Sequence, residues 1–226
     1  MLSFHNDKAI KNKYVNRILV HQQADRIIQG TGWENGKGCA VGCTLENYDH
    51  SRYPIELGLP EWLARLEDRI FENLPKQNAL LWPAEFLKAI PVGVDTEIVR
   101  HMLAIKRMDR LLKIQGEALD RNKGDVKSAI LQTINAIVVI KSCHESEINK
   151  NHCDIQSAWL AAWSAADSAW SAAWSAAESA ARSAESAARS AWSAADSAAR
   201  SAAWSAVWKQ EANDLIECLK SLEVKQ

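Results

Sequence analysis

Apolar residues recur at helical spacing along most of this chain, and this pattern predicts an all-α fold. Between Glu61 and Leu74, for example, Leu63, Leu66 and Ile70 fall on one side of a helix. Pro60 precedes this segment, as proline often does at the start of a helix. Comparable spacing predicts further helices over residues 7–29, 84–90, 95–119 and 125–148.

Residues 30–60 interrupt the helical pattern and contain six of the nine glycines of the chain. The sequence Glu34-Asn35-Gly36-Lys37 is typical of a tight turn. We therefore expect Gly32–Trp33 and Cys39–Val41 to pair as a short β-hairpin. Long irregular segments of compact domains often have a function, so this loop is the first place to look for a site.

From Trp163 onward the sequence is a degenerate repeat of one variable residue followed by Ser-Ala-Ala. Serine recurs about every 3.7 residues, close to one helical turn, so the serines form a slowly drifting stripe. We predict a helical head over residues 1–148 and a repeat helix over residues 155–226. A single rod of about 100 Å and a fold-back into a helical hairpin both satisfy this pattern.

Tryptophan shares a stripe of the repeat with Asp, Glu and Arg, a mixture that is typical of interfaces. The predicted interface residues are Trp163, Trp170, Trp174, Trp192, Trp204 and Trp208. The first functional hypothesis is therefore a non-enzymatic interaction or regulatory protein. It would act through this helix on a protein partner or on a second copy of itself, in a coiled-coil-like homodimer.

Overall charge and composition narrow the function classes. The chain has 27 basic and 28 acidic residues, whereas a nucleic-acid-binding protein usually has a basic excess. The longest aliphatic run, residues 136–140, is far shorter than the roughly 20 residues of a membrane span. The N-terminus resembles no secretory signal, and the five cysteines are scattered, as expected of free thiols. We therefore expect a cytoplasmic protein that binds neither membranes nor nucleic acid.

The loop contains the most specific chemical pattern of the chain. Cys39 and Cys43 are spaced like paired zinc ligands, and His50 follows as a third candidate. Further candidate site residues are Glu56 and, one helical turn apart before the loop, His21 and Asp25. The corresponding hypothesis is a zinc-binding site built from these side chains.

The same residues allow two other interpretations. In a small enzyme, Cys39 or Cys43 would be the nucleophile or a ligand, and His21 or His50 would be the base, oriented by Asp25. Alternatively, both cysteines are small buried hydrophobic residues in a tight glycine-rich turn. The sequence does not choose among these three interpretations.

Several segments together resemble a known group of proteins. These segments are HQQAD at residues 21–25, GKGCAVGCT at 36–44, ELGLPEWLARLEDRIF at 56–71, and the pairs at 82–83 and 86–87. The chain is similar over most of its length to a family of bacterial and phage proteins that also end in an Ala-rich helical repeat. The resemblance implies the same organisation of head and repeat, and it implies no particular activity.

Overall fold

The computed structural model describes residues 1–151, 153–158, 160, 164 and 189–222. Within these residues the fold is predominantly α-helical with one two-stranded sheet, which confirms the predicted fold class. The helices are α1 (Lys8–Gln23), α2 (Ala40–Leu45), α3 (Tyr53–Leu57), α4 (Glu61–Asn73), α5 (Lys76–Ala89), α6 (Val99–Arg121), α7 (Gly124–Ile148) and α8 (Arg189–Lys220). The strands are β1 (Trp33–Glu34) and β2 (Lys37–Gly38), and short 3-10 helices cover Ser3–Asn6 and His50–Arg52.

The chain divides into two compact units, one of residues 1–99 with 199–226 and one of residues 100–198. In the first unit, α1 packs on α2 and α5, and α4 packs on the same two helices. Fully buried apolar side chains fill the space between them, including Ile18, Leu63, Ile70 and Phe86. These side chains share one face of their helices, and their removal from water is the main stabilising contribution in this unit.

The last part of α8 belongs to this first unit. Leu215 and Leu219 are fully buried, whereas Trp204 and Val207, two to three turns earlier, are each 57% exposed. Residues 165–188, which hold most of the repeat, lie outside the described residues. The predictions of a rod and of a hairpin both concern these residues, so both stay predictions. The helical character of the repeat's end is confirmed by α8.

The second unit contains the antiparallel pair α6 and α7, joined by residues 122–123. Lys141 Nζ on α7 lies 2.6 Å from Asp109 Oδ1 on α6. A disulfide joins Cys143 to Cys153, so the expectation of free thiols is wrong for these two residues. That expectation failed because scattered positions in sequence do not report spatial proximity.

One helix among the described residues, Val126–Ile148, is long and apolar enough to cross a membrane by these two criteria alone. Only 17% of its most apolar window is buried. Core helices of soluble proteins can pass the same test, so a single helix of this kind is weak evidence for a membrane span. The short aliphatic run noted above lies inside this helix.

Three sequence-based boundaries need correction. Helix α1 ends six residues earlier than predicted, before Asp25 adopts a left-handed φ of +52°. The helix predicted to open after Pro83 starts instead at Lys76, next to Pro75, and continues through Pro83. The hairpin exists, but Cys39–Val41 is not its second strand: Cys39 caps α2, which contains the next two residues.

Candidate functional site

A tight hairpin places Cys39 in the core of the first unit. Asn35 and Gly36 have φ values of +51° and +75°, as a two-residue turn of this twist requires. Glu34 pairs with Lys37 across the turn, so β2 ends immediately before Cys39. The Cys39 thiol then accepts a hydrogen bond from the Gly42 N–H at 3.4 Å, which starts helix α2.

The glycines of this segment allow the backbone to come very close to itself. A Cβ on Gly38 or on Gly42 would overlap the carbonyl oxygen of Gly32. The Cys39 N–H donates to the Thr31 carbonyl at 2.7 Å, which fixes the position of the thiol relative to the hairpin. The spacing of glycines in GKGCAVG therefore reflects backbone packing around Cys39.

Helix α4 supplies two carboxylates opposite this thiol. Asp68 and Glu72 lie one turn apart on the same face of α4. One donor atom each from Cys39, Asp68 and Glu72 lies within 4.8 Å of the other two. We call these three residues the Cys39 cluster. Cys39 is 1% and Asp68 8% exposed, whereas Glu72 is exposed and opens one side of the cluster to solvent.

The two oxygens of the Asp68 carboxylate have different surroundings. Tyr48 donates its hydroxyl to Oδ2 at 3.1 Å, and His50 Nε2 lies 3.3 Å from the same oxygen. The other oxygen, Oδ1, is buried and accepts no hydrogen bond from Tyr48 or His50. Burying a carboxylate oxygen with so few donors is energetically costly.

Burial and the negative charge of Asp68 also affect the titratable groups around the cluster. Burial raises the pKa of the Cys39 thiol, and the Asp68 carboxylate raises it further. Burial, followed by Asp68, raises the pKa of Tyr48 to about 12. Burial also raises the pKa of Glu72, against the lowering effect of the Gly30 N–H. His50 is the only basic side chain that pairs with Asp68 among the described residues.

A second acid next to the cluster is buried, and its pKa is shifted upward. Glu67 is fully buried, and this burial raises its pKa well above the ordinary value. The Tyr53 hydroxyl lies 2.5 Å from Glu67 Oε2, and the Trp82 indole N–H donates to the Glu67 carbonyl at 3.1 Å. Glu67 therefore connects α4 to Tyr53 and Trp82 inside the core, one residue before Asp68.

The structure brings together two of the predicted site residues, Cys39 and His50, both beside Asp68. It places Cys43 elsewhere: this thiol is fully buried and donates to the backbone carbonyls of Gly38 at 3.3 Å and Arg26 at 3.5 Å. The interpretation of a small buried hydrophobic residue fits Cys43, while Cys39 has the polar surroundings of a site.

The remaining predicted residues do not join this cluster. His21 Nε2 lies 3.6 Å from Glu46 Oε1, and the His21 ring meets Trp33 edge-on at 5.4 Å. Asp25 is exposed at the end of α1. Glu56 accepts the Tyr14 hydroxyl and pairs with Arg52. Of the six candidates, Cys39 and His50 lie beside the same carboxylate and the other four lie elsewhere, so the six do not form a single pocket.

Sequence reasoning missed Asp68, Glu72 and Tyr48. One signal was available, because Glu67 lies between Leu63 and Ile70 on the apolar face of α4. An acid on a face that is otherwise buried is unusual and marks a position with special partners.

Of the predicted interface tryptophans, Trp204 and Trp208 have described side chains. The Trp204 indole N–H donates to Asn73 Oδ1 at 3.1 Å, and its ring meets that of Trp208 at 5.8 Å. Trp163, Trp170 and Trp174 lie outside the described residues, as does the side chain of Trp192.

No protein-family model, curated protein or solved structure matches this chain. The predicted resemblance to a bacterial and phage family therefore stays a prediction. The case for a function depends on the geometry of the site alone.

Proposed function

We propose that this protein binds a divalent transition-metal ion, with zinc as the representative, through Cys39, Asp68 and Glu72. One observation carries the proposal: three different donor groups lie within 4.8 Å of one another, and one of them presents a buried oxygen that accepts no hydrogen bond from Tyr48 or His50. Thiolate and carboxylate are ordinary zinc ligands, and a bound ion would lie about 2.0–2.3 Å from each donor.

A bound cation would also offset the close approach of the Asp68 and Glu72 carboxylates to each other and to the Cys39 thiol. Without one, burial and, after it, the Asp68 carboxylate raise the pKa of the Cys39 thiol. A divalent ion reverses that effect, because it stabilises the thiolate and both carboxylates together. Tyr48 and His50 bind the other oxygen of Asp68 and would hold the carboxylate in its orientation.

Three protein donors leave room for a further ligand. Glu72 is exposed, so water can reach this side of the ion. Catalytic zinc sites share this arrangement of three protein ligands and an open position, whereas structural sites are closed by four. This open position is compatible with the enzyme interpretation made from the sequence, in which Cys39 would serve as a metal ligand.

Zinc content and cobalt(II) substitution test this function. We expect one zinc per chain in wild-type protein, and absorption bands of a sulfur-bound cobalt(II) ion after substitution. Cys39→Ser and Asp68→Asn should each lower the zinc affinity about 100-fold or more, and His50→Gln about 10–100-fold through Asp68.

Cys43→Ser and Cys218→Ser are matched controls, because both thiols are as buried as Cys39 and lie outside the cluster. Both control variants should keep the wild-type affinity if they fold, as judged by circular dichroism. Wild-type zinc affinity in folded Asp68→Asn protein would refute the proposal.

A second function, self-association through the repeat helix, is favoured by a specific observation. Trp204 and Val207 are each 57% exposed on α8, and exposed tryptophan is characteristic of interfaces. We propose a homodimer that buries this face, with protein binding as its role in the cytoplasm. Light scattering at about 100 µM should report a dimer for wild type and a monomer for Val207→Glu; Gln210→Glu, also exposed, is the control. A wild-type monomer would refute this second function.

A further inference from the structure

Two histidines meet between helices α6 and α7, away from the Cys39 cluster. His101 is near the start of α6 and His144 near the end of α7, so the antiparallel arrangement places them side by side. Their Nδ1 atoms are 3.0 Å apart, and their ring centroids are 5.2 Å apart at an interplanar angle of 55°. Both side chains are half-buried.

The surrounding contacts fix the helix that carries His144. Lys141, one turn before His144, pairs with Asp109 across the helix pair. The Cys143–Cys153 disulfide ties the last turns of α7 to the segment that follows. The Cys153 N–H also donates to Glu147 Oε1 at 2.8 Å. The imidazole of His144 therefore sits on a backbone with several independent restraints.

The facing nitrogens cannot both carry a proton at this distance, so at least one presents a lone pair to the other. A neutral imidazole binds a metal through its unprotonated ring nitrogen. The acceptor ring of this pair already has an unprotonated Nδ1, so a change of tautomer in the other ring alone would make both Nδ1 atoms available to an ion.

We propose that His101 and His144 form a second metal site, which takes a late first-row cation such as Ni(II) or Cu(II) through both Nδ1 atoms. The distance decides the class of ion. Two nitrogens 3.0 Å apart, each about 2.0–2.1 Å from a shared ion, subtend an angle of about 90–95°. This is the angle of neighbouring ligands in square-planar or octahedral coordination, and it is smaller than the tetrahedral angle that zinc prefers.

Glu147 supplies charge for this site. It follows His144 by three residues on α7, so both side chains lie on one face of the helix. A divalent cation held by two neutral imidazoles gains from such a negative neighbour. The remaining coordination positions would be filled by water.

Calorimetry with Ni(II) tests the proposal on untagged full-length protein. A Cys39→Ser background removes the thiol of the first site, so the two metal proposals succeed or fail separately. In this background we expect one Ni(II) per chain. His101→Asn and His144→Asn should each lower the affinity at least 10-fold, while His5→Asn should leave it unchanged, because His5 contacts only the Ile55 carbonyl among its described hydrogen bonds.

Electron paramagnetic resonance of bound Cu(II) in the same background provides a readout that needs no histidine substitution. Hyperfine splitting from two equatorial imidazole nitrogens supports the site. A spectrum without two such nitrogens overturns it, even where the histidine variants fail to fold. An unchanged Ni(II) affinity in the folded His101→Asn, His144→Asn double variant overturns it as well and leaves a simple hydrogen bond between the rings.

Discussion

Helices α4 and α8 differ in the regularity of their sequences and in how their side chains are buried. The 13-residue α4 has an irregular sequence, and it buries two acids, Glu67 and Asp68, beside the core. The 32-residue α8 begins in the Ser/Ala/Trp repeat, and its residues 201–204 and 206–207 are exposed. Regular repetition secures helix formation, because alanine has the best helix propensity. Burial requires apolar area or specific partners, and within residues 201–222 of α8 the buried side chains begin at Glu211.

The largest difference in the free energy of unfolding is expected between two substitutions within α8. Leu215→Ala should lower the free energy of unfolding by about 2–5 kcal/mol, since it leaves a cavity at a fully buried position. Val207→Ala, two turns earlier and 57% exposed in the single chain, should change it by no more than about 0.5 kcal/mol at concentrations low enough to keep the protein monomeric. Urea denaturation followed by circular dichroism measures both. Equal effects would contradict the division of α8 into an exposed and a buried part.

The next largest loss of stability is expected at a close backbone contact near the Cys39 cluster. Gly42→Ala should destabilise by about 1–3 kcal/mol, because the new Cβ meets the Gly32 carbonyl oxygen. Gly116→Ala is the matched control: no atom lies within 4 Å of a Cβ there, and the residue is inside α6. That control should be stabilising by about 0.5–1 kcal/mol, as for glycine in a helix. A neutral Gly42→Ala substitution would show that the hairpin and α2 can separate.

The buried acid of α4 predicts a pH dependence of stability. The pKa of Glu67 is raised in the folded state, so the folded protein holds a proton that the unfolded chain releases above about pH 4.3. Its contribution to stability is fully present below that pH. Above it, this contribution falls by about 1.4 kcal/mol per pH unit until the folded pKa is passed.

Glu67→Gln should flatten this part of the profile, since glutamine stays neutral. Glu61→Gln is the control, because Glu61 is at the surface and pairs with Arg65. Denaturant midpoints between pH 5 and pH 8 provide the measurement. Identical slopes in wild type and Glu67→Gln would show that Glu67 is ionised in the folded protein.

The smallest effect concerns the contact between α8 and the end of α4. Trp204→Phe removes the indole N–H that donates to Asn73. The bond is at an exposed position, so we expect a loss of about 0.5–1 kcal/mol or less in the free energy of unfolding. Thermal unfolding of the variant measures it. A loss of several kcal/mol would mean that this contact holds α8 in place.

Local sequence rules predicted the features that depend on neighbouring residues. The turn at Asn35-Gly36 needs only residues that tolerate positive φ, and it was found where expected. The sequence also named Cys39 and His50 as candidate site residues, and the structure places both beside Asp68. The other four candidates, Cys43, His21, Asp25 and Glu56, lie elsewhere. The sequence did not reveal that Cys39 begins a helix, because that choice depends on the approach of the Gly32 carbonyl.

The partners in both proposed sites were decided by tertiary structure. Asp68 and Glu72 are about thirty residues from Cys39 in sequence, and His144 is 43 residues from His101. Nothing in local propensity or periodicity reports which helix faces which loop, because such contacts come from the packing of whole apolar faces. The sequence by itself determined the longer helices α1, α4, α6 and α7, the turn and the repeat, through backbone preferences and side-chain spacing. Only the folded chain placed a thiol against two carboxylates and one imidazole against another.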